Sequence, residues 1–115
     1  LAVIDVARRV TETASQKQAL DIILLDVGEV CLLTSYFIIL SGESPPQIES
    51  LSSAIGEVLR EEKEAELHHI EGTATSGWVL LDARSIIVHI FSPEQREYYK
   101  LEKLWHRAKL LLRIQ

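Results

Sequence analysis

Few side chains in this chain are of types that do chemistry, and their spacing rules out most of what they could do together. Ser41-Gly42-Glu43-Ser44 stands between a strand-like apolar run and a helix-like one, a turn whose backbone N–H groups are able to hold a phosphate. A phosphotransfer site of that layout also needs two carboxylates spaced D-x-D on the next strand, to hold the metal ions that carry nucleotide phosphates. No D-x-D, D-x-E or E-x-D occurs, and the E-x-E pairs, Glu62 with Glu64 and Glu64 with Glu66, lie in one acidic stretch. The glycine turn is explained as well by helix capping. His68 and His69 are adjacent, so in a strand they point to opposite faces and cannot ligate one metal. Neither they, His89 nor His106 show the H-x-x-x-H or His-Cys spacing of a zinc site. Cys31 has no basic neighbour to activate a thiolate, and as the lone cysteine it excludes an internal disulfide. With no G-x-S-x-G, Walker or H-E-x-x-H motif either, the residues argue for no enzyme, no cofactor and no metal.

Charge sorts the remaining classes. Seventeen acids against twelve bases leave a net charge of −5, the wrong sign for a domain that grips nucleic acid through its phosphates, so direct DNA binding is not expected. The excess is uneven. Residues 1–71 hold thirteen acids and five bases, residues 72–115 four acids and seven bases. The acidic part suits either a solvated helix face or a basic partner. No apolar run approaches the ~20 residues of a membrane span. At 115 residues the chain is expected to form one domain, residues 1–115, around one core. It starts at Leu1 and has no Met, so the natural N-terminus is expected upstream, and any targeting segment with it.

The elements that must position these residues follow from the hydrophobic period. Val3, Val6, Ala7, Val10 and Ala14 have helical spacing within residues 2–18. The run Ile22 to Leu25 suits a strand buried on both faces. A turn at Val27-Gly28-Glu29 leads to a second strand over Leu32 to Leu40. Ser44-Pro45-Pro46-Gln47 and Ser92-Pro93-Glu94-Gln95 each read as a capping box that starts a helix. The first of these helices buries Ile48, Leu51, Ile55, Val58 and Leu59 and ends in the acidic stretch, before a short strand near Leu67 to Ile70. Residues 71–77 read as a loop. Trp78 to Leu81 and Ile86 to Phe91 form a hairpin around Asp82-Ala83-Arg84-Ser85. From Pro93 a last helix is expected to present Leu101, Leu104, Trp105, Ala108, Leu111 and Leu112 on one stripe, with Lys109 and Arg113 at its C-terminal end. The order αββαβββα is an α/β sandwich with a mixed sheet.

Alternation in the hairpin sends Trp78, Leu80 and Asp82 one way and Val79 and Leu81 the other. A face of Trp, Leu and Asp has the anchor-plus-polar composition of a protein interface, or else Trp78 covers an open end of the sheet. His89 reads either as a half-buried histidine bonded to a neighbour or as a partner contact.

WVLLD at 78–82, VHIF at 88–91, REYYKLEKLW at 96–105, SYFIILSGES with Gln47, and Glu71-Gly72 together resemble the iojap family, the ribosomal silencing factors called RsfS in bacteria, over about residues 5–108. The resemblance implies a nucleotidyltransferase-like fold without the catalytic carboxylates, in accord with the missing D-x-D. It implies no enzymatic role. Members bind a basic protein on the intersubunit face of the large ribosomal subunit, block joining of the small subunit and repress translation. They work in the bacterial cytoplasm, with relatives in mitochondria and chloroplasts. Among the matching motif positions, Phe37, Leu101 and Trp105 lie on core stripes, and Gly42 and Gln47 have turn and capping explanations. Tyr36, Trp78, Leu80, Asp82, His89 and Tyr99 remain as partner-binding candidates, Asp82 for a Lys or Arg and Trp78 for apolar contact. Three positions depart from the family pattern: Ser35 where an acid is common, Pro46 where Arg is common, and Lys100 in place of the acid of YDLE. Two readings stay beside this one. The first is a nucleotide-binding or nucleotidyltransferase-like enzyme, resting on the Ser41-Gly42 turn. The second is a homodimer joined through the hairpin.

Overall fold

The computed structural model describes residues 2–104 and 106–115, excepting the side chains of Glu102 and Leu104. Helix α1 (Val3–Gln16) leads into β1 (Leu20–Asp26) and β2 (Tyr36–Ser41), and α2 (Pro45–Glu61) follows. A 3-10 turn at Lys63–Ala65 precedes β3 (His69–Thr73), β4 (Trp78–Asp82) and β5 (Ile86–Phe91). Two short helices, α3 (Pro93–Tyr99) and α4 (Leu101–Leu104), precede a last strand, β6 (Lys109–Ile114). The six strands form one sheet in the order β3-β4-β5-β2-β1-β6. Only β2 and β5 run parallel; every other neighbouring pair is antiparallel.

Period-2 alternation sorts the strands onto two faces. Ile22, Leu24, Ile38, Leu40, Val79, Leu81, Ile86, Val88 and Ile90 meet the apolar stripes of α1 and α2. On the reverse face Ile23, Leu25, Phe37, Ile39 and Phe91 form a smaller cluster with Val27, partly covered by Trp78, Ile87, Leu101 and Ala108. The continuous run in β1 is thus buried on both sides, as its composition requires.

Both serine caps form. Ser44 Oγ accepts from the Gln47 N–H (3.3 Å) and Ser92 Oγ from the Gln95 N–H (3.2 Å). The Gln47 side chain reaches one residue further back than a capping box requires, accepting from the Glu43 N–H (2.7 Å), and its amide donates to the Gln18 carbonyl (3.0 Å).

Three expectations are corrected. The second strand begins at Tyr36, not Leu32, because the register Asp26↔Tyr36 leaves residues 27–35 to reverse the chain; Leu32 and Leu33 are exposed there. The third strand starts at His69 and takes in Glu71, Gly72 and Thr73, which composition had assigned to a loop. The last helix stops at Tyr99, where Lys100 turns left-handed (φ 50°). Lys109, Leu111, Leu112 and Arg113 then lie on β6 against β1, not on a helix stripe. Trp105, the centre of that expected stripe, lies outside the described residues.

Candidate docking face

The reverse face of the sheet collects most of the aromatic side chains. Register sets Trp78 opposite Phe91 and Leu80 opposite His89, and α3 lays Tyr99 over them. The Trp78 ring centroid lies 4.5 Å from Tyr99, 4.9 Å from Phe91 and 5.9 Å from His89. Phe37 meets His89 edge-on at 5.2 Å, an arrangement that the ring quadrupoles favour.

His89 is the keystone of this cluster. It is 5% exposed, and Trp78 Nε1 donates to its Nδ1 at 3.2 Å. An indole N–H only donates, so Nδ1 is the acceptor and the ring is a neutral imidazole protonated on Nε2. Burial pushes its pKa down to about 4, since desolvation penalises the charged ring. His89 therefore holds Trp78 from below and has no surface to offer a partner, a correction to its place among the contact candidates.

Beside this cluster opens a cavity of about 370 Å³, lined by Glu71, Gly72, Ser76, Trp78, Leu80, Gln95 and Tyr99. Gly72 makes its β3 wall possible. It has φ 82°, and a Cβ there would come within 2.0 Å of the Trp78 carbonyl oxygen. Glu71 stands opposite Leu80, meets His69 Nε2 at 3.0 Å and brings the one carboxylate to a lining otherwise uncharged. Of the six candidate residues, Trp78, Leu80 and Tyr99 meet at this cavity.

The other two lie elsewhere. Asp82 shares the face of Trp78 but sits at the far end of β4, about 13 Å away at the usual rise per residue. Its Oδ1 accepts from the Arg84 N–H (2.8 Å) and closes the hairpin turn. Tyr36 alternates with Ile38 and Leu40, so it belongs to the opposite face and packs against the helix-side cluster. Glu71, Gly72, Ser76 and Gln95 line the cavity without having been among the six candidates. Glu71 had been assigned to a loop, and Gln95 was absorbed by its capping role. Cross-strand pairing across Gly72 was the signal for the first.

The Ser41-Gly42 turn has a different use. A Cβ at Gly42 would come within 2.9 Å of Ile48, so the glycine allows α2 to pack close to β2. The Glu43 and Gln47 amides around it are already committed to side chains. Among the described residues no group of three or more His, Cys, Asp or Glu could hold a metal, and no helix is long and apolar enough to cross a membrane.

Comparison with known proteins agrees with this architecture. A family model described as "Ribosomal silencing factor during starvation" matches residues 2–114. The chain is 36% identical over 94 residues to the ribosomal silencing factor RsfS of Bacillus subtilis, covering 82% of this chain and 79% of that protein. It is 33% identical over 92 residues to a Mus musculus protein named mitochondrial assembly of ribosomal large subunit protein 1, covering 78% and 40%. A crystal structure of a Chromobacterium violaceum protein superposes with a TM-score of 0.86 at 28% identity, covering 92% of this chain and 88% of that one. Matched almost from end to end in sequence and superposed over nine-tenths of its length, the chain belongs to the RsfS, or iojap, family of ribosomal silencing factors.

Proposed function

We propose that this protein is a non-enzymatic repressor of translation that docks on the large ribosomal subunit through a basic protein of its intersubunit face. Seated there, it blocks joining of the small subunit. The observation that carries the reading is the Trp78–Leu80–Tyr99 cavity with Glu71 on its wall. Rigid aromatic anchors beside one carboxylate are what a lysine- or arginine-bearing surface needs for apolar contact and charge pairing. The family's naming supports the ribosomal assignment, and the absence of a D-x-D pair from the sequence removes the metal-holding residues of a nucleotidyltransferase. With bacterial and mitochondrial relatives, the place of action is the bacterial cytoplasm or a ribosome-bearing organelle.

Co-sedimentation with purified large subunits tests this, with small subunits added in a second step. The parent pellets with large subunits and lowers the yield of joined ribosomes. Trp78→Ala and Glu71→Lys each weaken binding at least tenfold, a loss typical of anchor residues, while circular dichroism stays native. If both variants bind like the parent, the cavity is not the docking face. A homodimer formed through the same hairpin would bury Trp78, and sedimentation velocity over a concentration series would reveal it.

A further inference from the structure

Four of the seven bases of residues 72–115 gather away from the docking cavity, on the other side of α3. Gln95 and Tyr99 face the Trp78 cavity, whereas Arg96, Glu97 and Lys100 line a second one of about 690 Å³, bounded also by α4 and the β1–β6 edge. Its lining carries Arg96, Lys100, Lys103 and Arg113 against the acids Asp21 and Glu97, four permanent cations to two anions.

The floor of this groove is built and fixed. Arg96 is 7% exposed, and its guanidinium donates to the Asp21 carbonyl (2.5 Å) and the Ser41 hydroxyl (3.2 Å). Arg113 meets the Asp21 carboxylate at 3.2 Å. Asp21 itself has φ 44° and sits where the β1–β2 register slips. A non-glycine residue in that conformation persists only where its surroundings hold it, and here two arginines do. Lys100 pairs with Glu97 (3.1 Å) from the left-handed position that ends α3.

We propose that this groove takes the phosphate oxyanions of an RNA backbone. Its cations come from α3, α4 and β6 rather than from one turn, a spread that suits successive phosphates better than a single small anion. A net charge of −5 does not oppose this, because local potential decides and, of the seventeen acids, Asp21 and Glu97 are the ones that line the groove among the described residues. That the RNA is ribosomal rests on the docking reading. On a ribonucleoprotein surface, α3 would then divide a cavity for protein from a groove for RNA.

The test is fluorescence anisotropy with a short labelled RNA hairpin across a salt series, with inorganic pyrophosphate titrated separately. The proteins are the parent, Lys100→Asp, Lys103→Gln and Lys103→Arg. Aspartate tolerates the left-handed backbone, so Lys100→Asp keeps the fold, checked by circular dichroism. The expected result is parent binding at low salt, weakened about tenfold or more by Lys100→Asp. The logarithmic salt slope should fall by about one for Lys103→Gln, and Lys103→Arg should stay near the parent. Equal binding by the parent and both charge-removing variants overturns the proposal. So does a parent that ignores RNA, or one that binds pyrophosphate alone. Trp78→Ala should leave RNA binding intact, so loss of large-subunit docking in that variant and loss of RNA binding in the lysine variants report on separate readings.

Discussion

Between Phe37 and Trp78, the buried His89 ring has nowhere to solvate a positive charge, and that makes acid its weakness. Its folded pKa is about 4, against about 6.5 for the unfolded chain. Between those values the unfolded chain binds a proton that the folded protein refuses, so stability is complete above about pH 6.5. It falls as pH drops toward 4, by a total on the order of 3 kcal/mol. Urea melts over this window should show that loss in the parent and a much flatter profile in His89→Leu. A parent midpoint that stays constant from pH 7 to 4 would refute the buried neutral ring. Two backbone positions make further predictions. Gly72→Ala forces a Cβ onto the Trp78 carbonyl at a φ that disfavours it. The cost is roughly 1–3 kcal/mol or more, seen as a melting temperature lowered by several degrees. Lys100→Gly relieves a left-handed lysine and should raise stability by about 0.5–1 kcal/mol.

Elements were legible wherever one period and one set of stop signals agreed. The α1 and α2 stripes, the run of β1 and the β4–β5 hairpin all follow from spacing, and Ser44 and Ser92 mark the starts of α2 and α3. The C-terminal segment was misread because Leu101, Ala108, Leu111 and Leu112 satisfy a helical stripe while KLLLRI equally satisfies a strand. What decides between them is a partner strand that begins some ninety residues earlier, pairing Ile22 with Ile114, and local sequence holds no trace of it. The helix also ends at a lysine rather than at the glycine that usually marks such a stop. Of the site, Trp78 and Leu80 could be found from composition and alternation in the hairpin, and Tyr99 from the family motif. Tyr36 was grouped with them from the family motif, although alternation from Ile38 would have put it on the opposite face. Carbon chemical shifts settle the element: residues 109–114 should show strand-like values, and helical ones would restore the continuous helix.

For the whole molecule, the sheet divides both packing and charge. One face carries the larger core beneath α1 and α2, where Arg9 bridges to Glu61 (2.8 Å) and Glu62 (2.6 Å). The other carries a smaller core, the docking cavity and the basic groove. On the proposed readings both interaction sites lie on the thinly covered face, so replacements in α3 should affect binding more than replacements in α1. Thermal melts paired with large-subunit sedimentation for Gln95→Ala and Thr11→Ala check this: the first should lose affinity at little cost in stability, the second the reverse.

The pairing of β6 with β1 also has a kinetic side. Joining Ile22 to Ile114 closes nearly the full length of the chain, and loop-closure entropy makes such a contact late to form. During synthesis, residues 109–114 emerge after the other five strands, so until then β1 presents an open edge along the side that β6 later covers. Unprotected edges recruit other strands. A polypeptide interrupted just before Lys109 would carry a nearly complete fold whose one missing strand turns it into a template for aggregation.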